Sequence, residues 1–181
     1  APHEQIEAMT VRHGIAVLAP MGVDRKSNLK QVGTPLELYD TPKNLFVAKF
    51  IGTPPMNVVS VEVDGSARQL RHSGFSLPLT DQTLARVQPL QGNRVLLGIR
   101  PEHIGEGVDH DWPDPVRLRG TVEIVETVGH EVIIHARCGD DVIVAKLGAH
   151  RIPRYGEDVD LVMRSDAIHL FDPDTELSLS G

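Results

Sequence analysis

The chain has 181 residues, which suffices for one ordinary domain or a small domain with an appendage. With 40% hydrophobic and 24% charged residues, its composition is typical of a soluble globular protein. The formal charge of -7 and the 4% of aromatic residues argue against a nucleic-acid surface, which needs clustered cations and stacking platforms. A single cysteine, Cys138, excludes an internal disulfide.

The first segment, HEQIEAMT, places Ile6 and Met9 at a helical spacing, which predicts helical or irregular structure. The following stretch, APMGVDRKSNLK, has no period and predicts an exposed loop. The sequence shows neither a basic-then-apolar leader nor a long apolar run, so we expect a cytoplasmic protein. It starts within an amphipathic pattern without an initiator methionine, which is typical of a piece of a longer protein.

A helical connector is predicted next. The sequence TPLE at 34–37 has a threonine cap, a proline at the first helical position and a glutamate three residues after the cap, which together predict a capping box. The Thr-Pro pair at 41–42 predicts the start of a second helix, with Phe46 and Phe50 on its apolar face. The sequence GTPP at 52–55 predicts its end.

Beyond Asn57 the hydrophobic period changes from helical to strand-like. The residues Val116, Leu118, Val122 and Ile124, for example, are predicted to share one face of a strand. Glycine and aspartate turns separate most of the runs, and helical patterns are almost absent. The fold class predicted is mainly β, a small barrel or sandwich preceded by short α-helices. The predicted strands are 58–63, 95–100, 116–124, 131–137, 141–147, 158–163 and 168–171.

Three separated segments, QVGTPLELYDTPKNLFVAKFIGTPPMN, LLGIRPEHI and VEIVETVGHEVIIHA, resemble the C-terminal part of sugar-importing ABC transporter ATPases. The maltose, glycerol-3-phosphate and multiple-sugar types are the most similar. This resemblance implies that residues 1–52 are the tail of a nucleotide-binding domain and a connector. Residues 53–181 are then an OB-fold-like regulatory domain of the TOBE type.

The resemblance also implies a role for His3, which matches the switch histidine that contacts the γ-phosphate in such ATPases. However, the sequence has no G-x-x-x-x-G-K-[ST] loop, no Leu-Ser-Gly-Gly-Gln signature and no apolar strand ending in Asp-Glu. Phosphoryl transfer needs several such parts together, so we expect no ATP hydrolysis by this chain and no cofactor of its own. ATP and Mg²⁺ would be bound by a full-length parent protein.

The implied partners are a second copy of the chain, transmembrane permease subunits reached through the ATPase half, and a small-molecule or protein regulator. No nucleic acid is expected. The implied location is the inner face of the membrane, at its periphery. The main alternative is a stand-alone OB-like module that binds a small effector, a sugar or a nucleic acid. A salt-dependent affinity for single strands would distinguish a nucleic-acid module from the regulatory domain.

The motif IRPEH combines Arg100, Pro101, Glu102 and His103 and invites a second alternative, a small hydrolase. We interpret the motif instead as structural or as part of an interface, because Pro101 holds the preceding residue extended where a strand ends. Gly129 lies between two strand patterns and predicts a hairpin turn with positive φ. It completes the set of interface or regulatory candidates.

Other polar residues predict no chemistry. The nine histidines show no metal-ligand spacing, so no metal site is expected. Glu123 and Glu126 are predicted on opposite faces of one strand, as solvated side chains rather than an acid/base pair. Cys138 adjoins acidic residues that disfavour a thiolate, so we expect it to be inert.

Overall fold

The computed structural model describes residues 7–11, 14–19, 29–107 and 110–179. The chain begins with a three-stranded antiparallel sheet in which β1 (Glu7–Val11) pairs with β2 (Gly14–Leu18), and β2 pairs with β3 (Leu29–Gly33). Over residues 7–10, the prediction of a helical or irregular first segment is therefore wrong, while residues 3–6 of that segment lie outside the described residues. Pairing with the apolar strand β2 outweighs the local spacing, which carries no information about the pairing partner. The predicted loop falls largely on residues 20–28, outside the described residues.

The connector consists of two short helices, α1 (Pro35–Asp40) and α2 (Leu45–Phe50). The predicted capping box is confirmed. The backbone N–H of Thr34 donates to Glu37 Oε2 at 2.7 Å, and the backbone N–H of Glu37 donates to Thr34 Oγ1 at 3.2 Å. The predicted start of the second helix at 41–42 is wrong, because Thr41 ends α1 and Asn44 caps α2 by accepting from the backbone N–H of Val47 at 3.0 Å.

The first of two five-stranded antiparallel sheets has the strand order β13-β7-β4-β5-β6. Between the strands β6 and β7 of this sheet, the chain forms a helix, α3 (Asp81–Val87), that the sequence analysis missed. Thr80 caps this helix by accepting from the backbone N–H of Thr83 at 3.1 Å, and the sequence TDQT carried that signal. The strands are β4 (Asn57–Asp64), β5 (Gln69–His72), β6 (Phe75–Pro78), β7 (Arg94–Ile99) and β13 (His169–Phe171).

The second five-stranded antiparallel sheet has the order β11-β10-β9-β12-β8. Gly129 lies in the turn between β9 and β10 with a φ of 61°, and Gly139 lies in the next turn with a φ of 62°. The predicted hairpins are therefore confirmed. The strands are β8 (Ile104–Glu106), β9 (Val116–Val128), β10 (Glu131–Cys138), β11 (Asp141–Gly148) and β12 (Asp158–Met163).

A β-bulge in β9 overturns two predictions about its faces. The register against β10 shifts so that His135 opposes Ile124 while Ala136 opposes Val122. The extra residue reverses the alternation, and Ile124 is 49% exposed instead of sharing the buried face of Val122. Glu123 and Glu126 also emerge on the same face, because they reach Arg137 and His135, which lie two residues apart on β10.

The predicted mainly β, OB-like fold is confirmed, with the two large sheets sharing one core. Helix α2 is packed on both sides. Val47 lies against Val17 and Leu38, while Leu45 and Ala48 lie against a cluster that includes Phe171 of β13. The division of the chain at residue 52 stays a prediction. Within the described residues, no helix is long and apolar enough to cross a membrane.

Candidate functional site

Arg100, which belongs to the motif IRPEH, lies buried between the connector helices and the β domain. It is 1% exposed, and its guanidinium donates to the C-terminal carbonyl groups of both connector helices. Nη2 donates to the Tyr39 oxygen at 2.8 Å, and Nη1 donates to the Ile51 and Ala48 oxygens at 2.6 and 3.3 Å. These carbonyl groups lack intrahelical partners and carry the negative end of each helix dipole. One cation therefore stabilises both helix ends.

Tyr39 and Glu102 complete the contact around this arginine. The Arg100 guanidinium carbon lies 4.0 Å from the centre of the Tyr39 ring, a cation–π geometry. The Tyr39 hydroxyl donates to Glu102 Oε1. Burial, and then the hydrogen bond to the Glu102 carboxylate, raises the pKa of Tyr39 well above its ordinary value. Burial lowers the pKa of Arg100, against the opposing effect of Tyr39, Glu102 and Asp40.

Two histidines lie beside this arginine. His103 is edge-on to Tyr39, with 6.5 Å between the ring centres, and its Nδ1 is buried without a hydrogen-bond partner among the described residues. Burial lowers the pKa of His103. Burial, with the nearby charge of Arg100, lowers the pKa of His169 to about 4. Both rings are therefore neutral near pH 7, as packing beside a buried cation requires.

The structure places the described members of the predicted site at two separate positions. Arg100, Pro101, Glu102 and His103 lie together where the connector helices meet the β domain, a contact that we call the junction. Arg100 and Pro101 are both buried there. Gly129 lies elsewhere, at an exposed hairpin tip where an added Cβ would meet no described atom within 4 Å. His3 lies outside the described residues. The junction contacts fit a structural connection between helices and sheet.

Sequence reasoning missed Asn57, whose side chain forms three hydrogen bonds where the two large sheets meet. It is 8% exposed at the start of β4. Its Nδ2 donates to the Val144 oxygen at 2.8 Å and to the Ile99 oxygen at 3.1 Å, and its Oδ1 accepts from the Val144 N–H at 2.8 Å. Asn57 therefore joins β4 and β7 to the edge strand β11. An asparagine directly before an alternating run gave no signal of this contact.

The remaining candidates have ordinary surroundings. Cys138 is fully buried, and burial raises the pKa of its thiol to about 11, so the predicted inertness has desolvation rather than neighbouring acids as its cause. Within the described ranges, no group of three or more histidine, cysteine or carboxylate side chains could hold a metal ion. His135 instead lies 3.5 Å from Glu126.

A groove of about 1090 Å³ lies between the two large sheets. The strands β5 and β6 and helix α3 form one wall, and the first residues of β9 with the segment around Ser165 form the other. Its floor is apolar and includes Leu70, Phe75 and Val116, while Arg86 and Arg117 lie on its rim.

Fold and junction together define an OB-like β domain fastened to a helical connector. Residues 52–104 match the MalK OB fold domain family, and residues 97–171 match the TOBE domain family. Together the two matches cover residues 52–171 and confirm the OB-fold and TOBE-type resemblance.

Curated relatives agree with this assignment. The chain is 35% identical over 98% of its length to the sulfoquinovosyl glycerol transport ATP-binding protein SmoE of Agrobacterium fabrum, of which it covers 46%. It is 33% identical over 99% of its length to the sn-glycerol-3-phosphate import ATP-binding protein UgpC of Bordetella pertussis, covering 47%. It is 37% identical over 96% of its length to the trehalose/maltose import ATP-binding protein MalK of Thermococcus litoralis, covering 46%. The chain thus spans about half the length of these relatives.

Among solved structures, the molybdate-binding protein ModG has a related fold. The superposition has a TM-score of 0.50 with 15% sequence identity, and it covers 65% of this chain and 96% of that protein. At this identity the likeness concerns the fold alone.

Proposed function

We propose that this chain is the regulatory and subunit-pairing part of the ATP-binding subunit of a carbohydrate ABC importer. The observation that carries the proposal is the continuous similarity, along nearly the whole chain, to transport ATP-binding proteins. The OB-fold and TOBE matches together cover residues 52–171 without a gap. The imported substrate is a sugar or a sugar-like polyol derivative, the class that these relatives' names describe.

In this proposal the chain acts mechanically and performs no chemistry alone. The phosphate-binding loop and the signature motif do not occur in its 181 residues, so ATP and Mg²⁺ are bound only by an ATPase half joined to it. His3 contacts the γ-phosphate only in that larger protein. The junction at Arg100 supports a mechanical role, because it fastens the connector helices to the β domain through three hydrogen bonds.

The proposed partners follow from the same role. Two β domains keep two subunits together while their ATPase halves open and close, and those halves contact permease subunits at the inner membrane face. A small-molecule or protein regulator would bind the open and closed arrangements with different affinities, since binding alone shifts no equilibrium. Glu102, His103 and the Gly129 hairpin stay candidates for its contacts.

A chimera tests this proposal. The chain replaces the matching half of the Thermococcus litoralis MalK relative, and the control is that relative truncated before the replaced half. We expect the chimera to hydrolyse ATP and to stay dimeric without nucleotide, while the truncated control dissociates and the chain alone hydrolyses nothing. A chimera that dissociates like the control would contradict the pairing role. Hydrolysis by the isolated chain would contradict its non-catalytic nature.

A further inference from the structure

Residues 176–179, which we call the strap, lie between the connector and β13. On the connector side, the backbone N–H of Leu45 donates to the Glu176 oxygen, and the backbone N–H of Ser178 donates to the Lys43 oxygen, both at 2.9 Å. Leu45 is the first residue of α2, so its N–H has no acceptor within that helix. The strap therefore satisfies the N-terminal end of α2.

The other side of the strap pairs with β13. The backbone N–H of Leu179 donates to the Leu170 oxygen, and the backbone N–H of Asp172 donates to the Leu177 oxygen, both at 2.9 Å. β13 pairs on its opposite side with β7, the strand that leads into Arg100. One short segment therefore joins the connector to the first large sheet through four backbone hydrogen bonds.

The connector residues that the strap contacts are held from their other side by β3. The backbone N–H of Lys43 donates to Gln31 Oε1 at 2.9 Å, and Gln31 Nε2 donates to the Thr41 oxygen at 3.2 Å. Asn44 Nδ2 donates to the Lys30 oxygen at 3.3 Å. Hydrogen bonds therefore run without interruption from β3, through the start of α2 and the strap, to β13.

The attachment of the strap depends mainly on its backbone. The side chain of Leu177 is 55% exposed, and Leu179 is only partly buried against the core. Glu176 has a φ of 60°, a left-handed conformation that is costly for any residue with a Cβ. Segments with little apolar burial and strained backbone open at lower free energies than the core. The strap is therefore expected to open while the sheets stay folded.

We propose that the strap is a conformational device that sets the orientation of the connector. When the strap is closed, α2 is held to the β domain at both ends, by the strap at Leu45 and by Arg100 at Ala48 and Ile51. When the strap is open, the N-terminal end of α2 is released, while the Arg100 hydrogen bonds remain as a pivot. This inference goes beyond the pairing role and does not rest on it.

Native-state amide hydrogen exchange, measured by NMR on the ¹⁵N-labelled chain, tests the opening. We expect the amides of Leu45, Asp172, Ser178 and Leu179 to share one protection factor, because a single opening breaks all four hydrogen bonds. That factor should be at least tenfold below the protection of Val122, whose N–H donates to another strand end of the β domain at 2.9 Å.

A proline in the strap tests the release of α2. Ser178→Pro removes the donor to Lys43, and we expect about tenfold faster exchange at Ala48, the size of one lost backbone hydrogen bond. Leu84 of α3 is the matched amide, because each of these N–H groups donates to the oxygen of its helix's N-cap residue. Leu84 should keep its rate, and Ser178→Ala, which retains the backbone N–H, should leave Ala48 within about twofold of the parent.

A glycine in the strap tests the opposite direction. Glu176→Gly relieves the left-handed strain, so we expect about fivefold slower exchange at Leu45 and Ser178. Glu176→Ala removes the same carboxylate but keeps the strain, and it should leave both amides unchanged.

Three results would overturn the inference. Different protection factors among the four strap amides, or protection as high as that of Val122, would show that the strap does not open by itself. An unchanged rate at Ala48 in Ser178→Pro would show that the strap does not hold α2. Equal acceleration at Leu84 would assign the effect to unfolding of the whole chain.

Discussion

At the scale of single residues, Arg100 explains why a well-capped helical connector precedes this β domain. Its side chain is buried, yet its hydrogen bonds go to helix-end carbonyl groups, with no carboxylate hydrogen-bonded to it among the described residues. Helix-end dipoles and the Tyr39 ring stabilise the charge instead. The connector helices therefore end at a fixed point on the β domain.

Replacing Arg100 by methionine should test this connection. Arg100→Met keeps an apolar stem but removes the donors, leaving buried carbonyl groups unsatisfied. We expect the free energy of unfolding in urea to fall by about 2–4 kcal/mol. The matched control is Arg119→Met, since Arg119 has a 73% exposed side chain and a 3.8 Å contact with Asp160, worth about 0.5 kcal/mol or less. An equally small decrease in the free energy of unfolding of both variants would show that the Arg100 hydrogen bonds do not stabilise the contact between helices and β domain.

His169 gives the junction a defined pH dependence. Its pKa is about 4 in the folded chain, below the ordinary value of 6.5, because the ring is buried near Arg100. The unfolded chain therefore binds the proton first as pH falls, and stability is lost from about pH 6.5 down to pH 4. Urea titrations at pH 7, 6, 5 and 4 should give a shallower decline for His169→Gln, by about 3 kcal/mol at most. His130→Gln, in the exposed hairpin turn, should follow the parent curve.

At the scale of elements, the sequence predicts what local pattern determines. The capping box at Thr34 and Glu37 and the alternation in β4 depend on neighbouring residues, and both predictions are confirmed. The first strand and the bulge in β9 depend on a pairing partner elsewhere in the chain, so the local pattern misassigns them. The sequence singles out the motif at Arg100, but its contacts with Tyr39 and Ile51 join segments that are far apart along the chain.

The β9–β10 hairpin tests the contribution of local backbone geometry. Gly129 has a φ of 61° and open space where a Cβ would lie, so Gly129→Ala meets only backbone strain. We expect a loss of about 1 kcal/mol in the free energy of unfolding. Gly65→Ala is the matched control, because that turn is equally open and has no φ in the left-handed range. It should be neutral or slightly stabilising. A neutral Gly129→Ala would contradict the strain argument.

At the scale of the whole molecule, polar side chains such as Asn57 help to close the two large sheets of the β domain on each other. Asn57 satisfies both backbone groups of Val144 while also donating to the carbonyl group of Ile99 in its own sheet. No local pattern in the sequence indicates a contact between β4 and β11, because the two strands are far apart along the chain. Such a contact becomes visible only once the fold brings both strands together.

Asn57→Asp should show how much that closure contributes. An ionised carboxylate keeps the shape of asparagine but cannot donate, so two carbonyl oxygens face a negative charge in a buried site. We expect the free energy of unfolding to fall by about 3 kcal/mol or more at pH 7, with faster hydrogen exchange at Val144. Unchanged exchange at Val144 would contradict a role of Asn57 in closure. Asn93→Asp, at an exposed turn, is the control.

In the function proposed above, this chain holds two ATP-binding subunits together. Native mass spectrometry of the purified chain across a dilution series tests it most directly, because mass reports stoichiometry and any bound effector at once. We expect a dimer that persists at low concentration and obeys one dissociation constant across the series. A monomer at every concentration, with no added mass, would contradict pairing by this part of the subunit and assign it to the ATPase half.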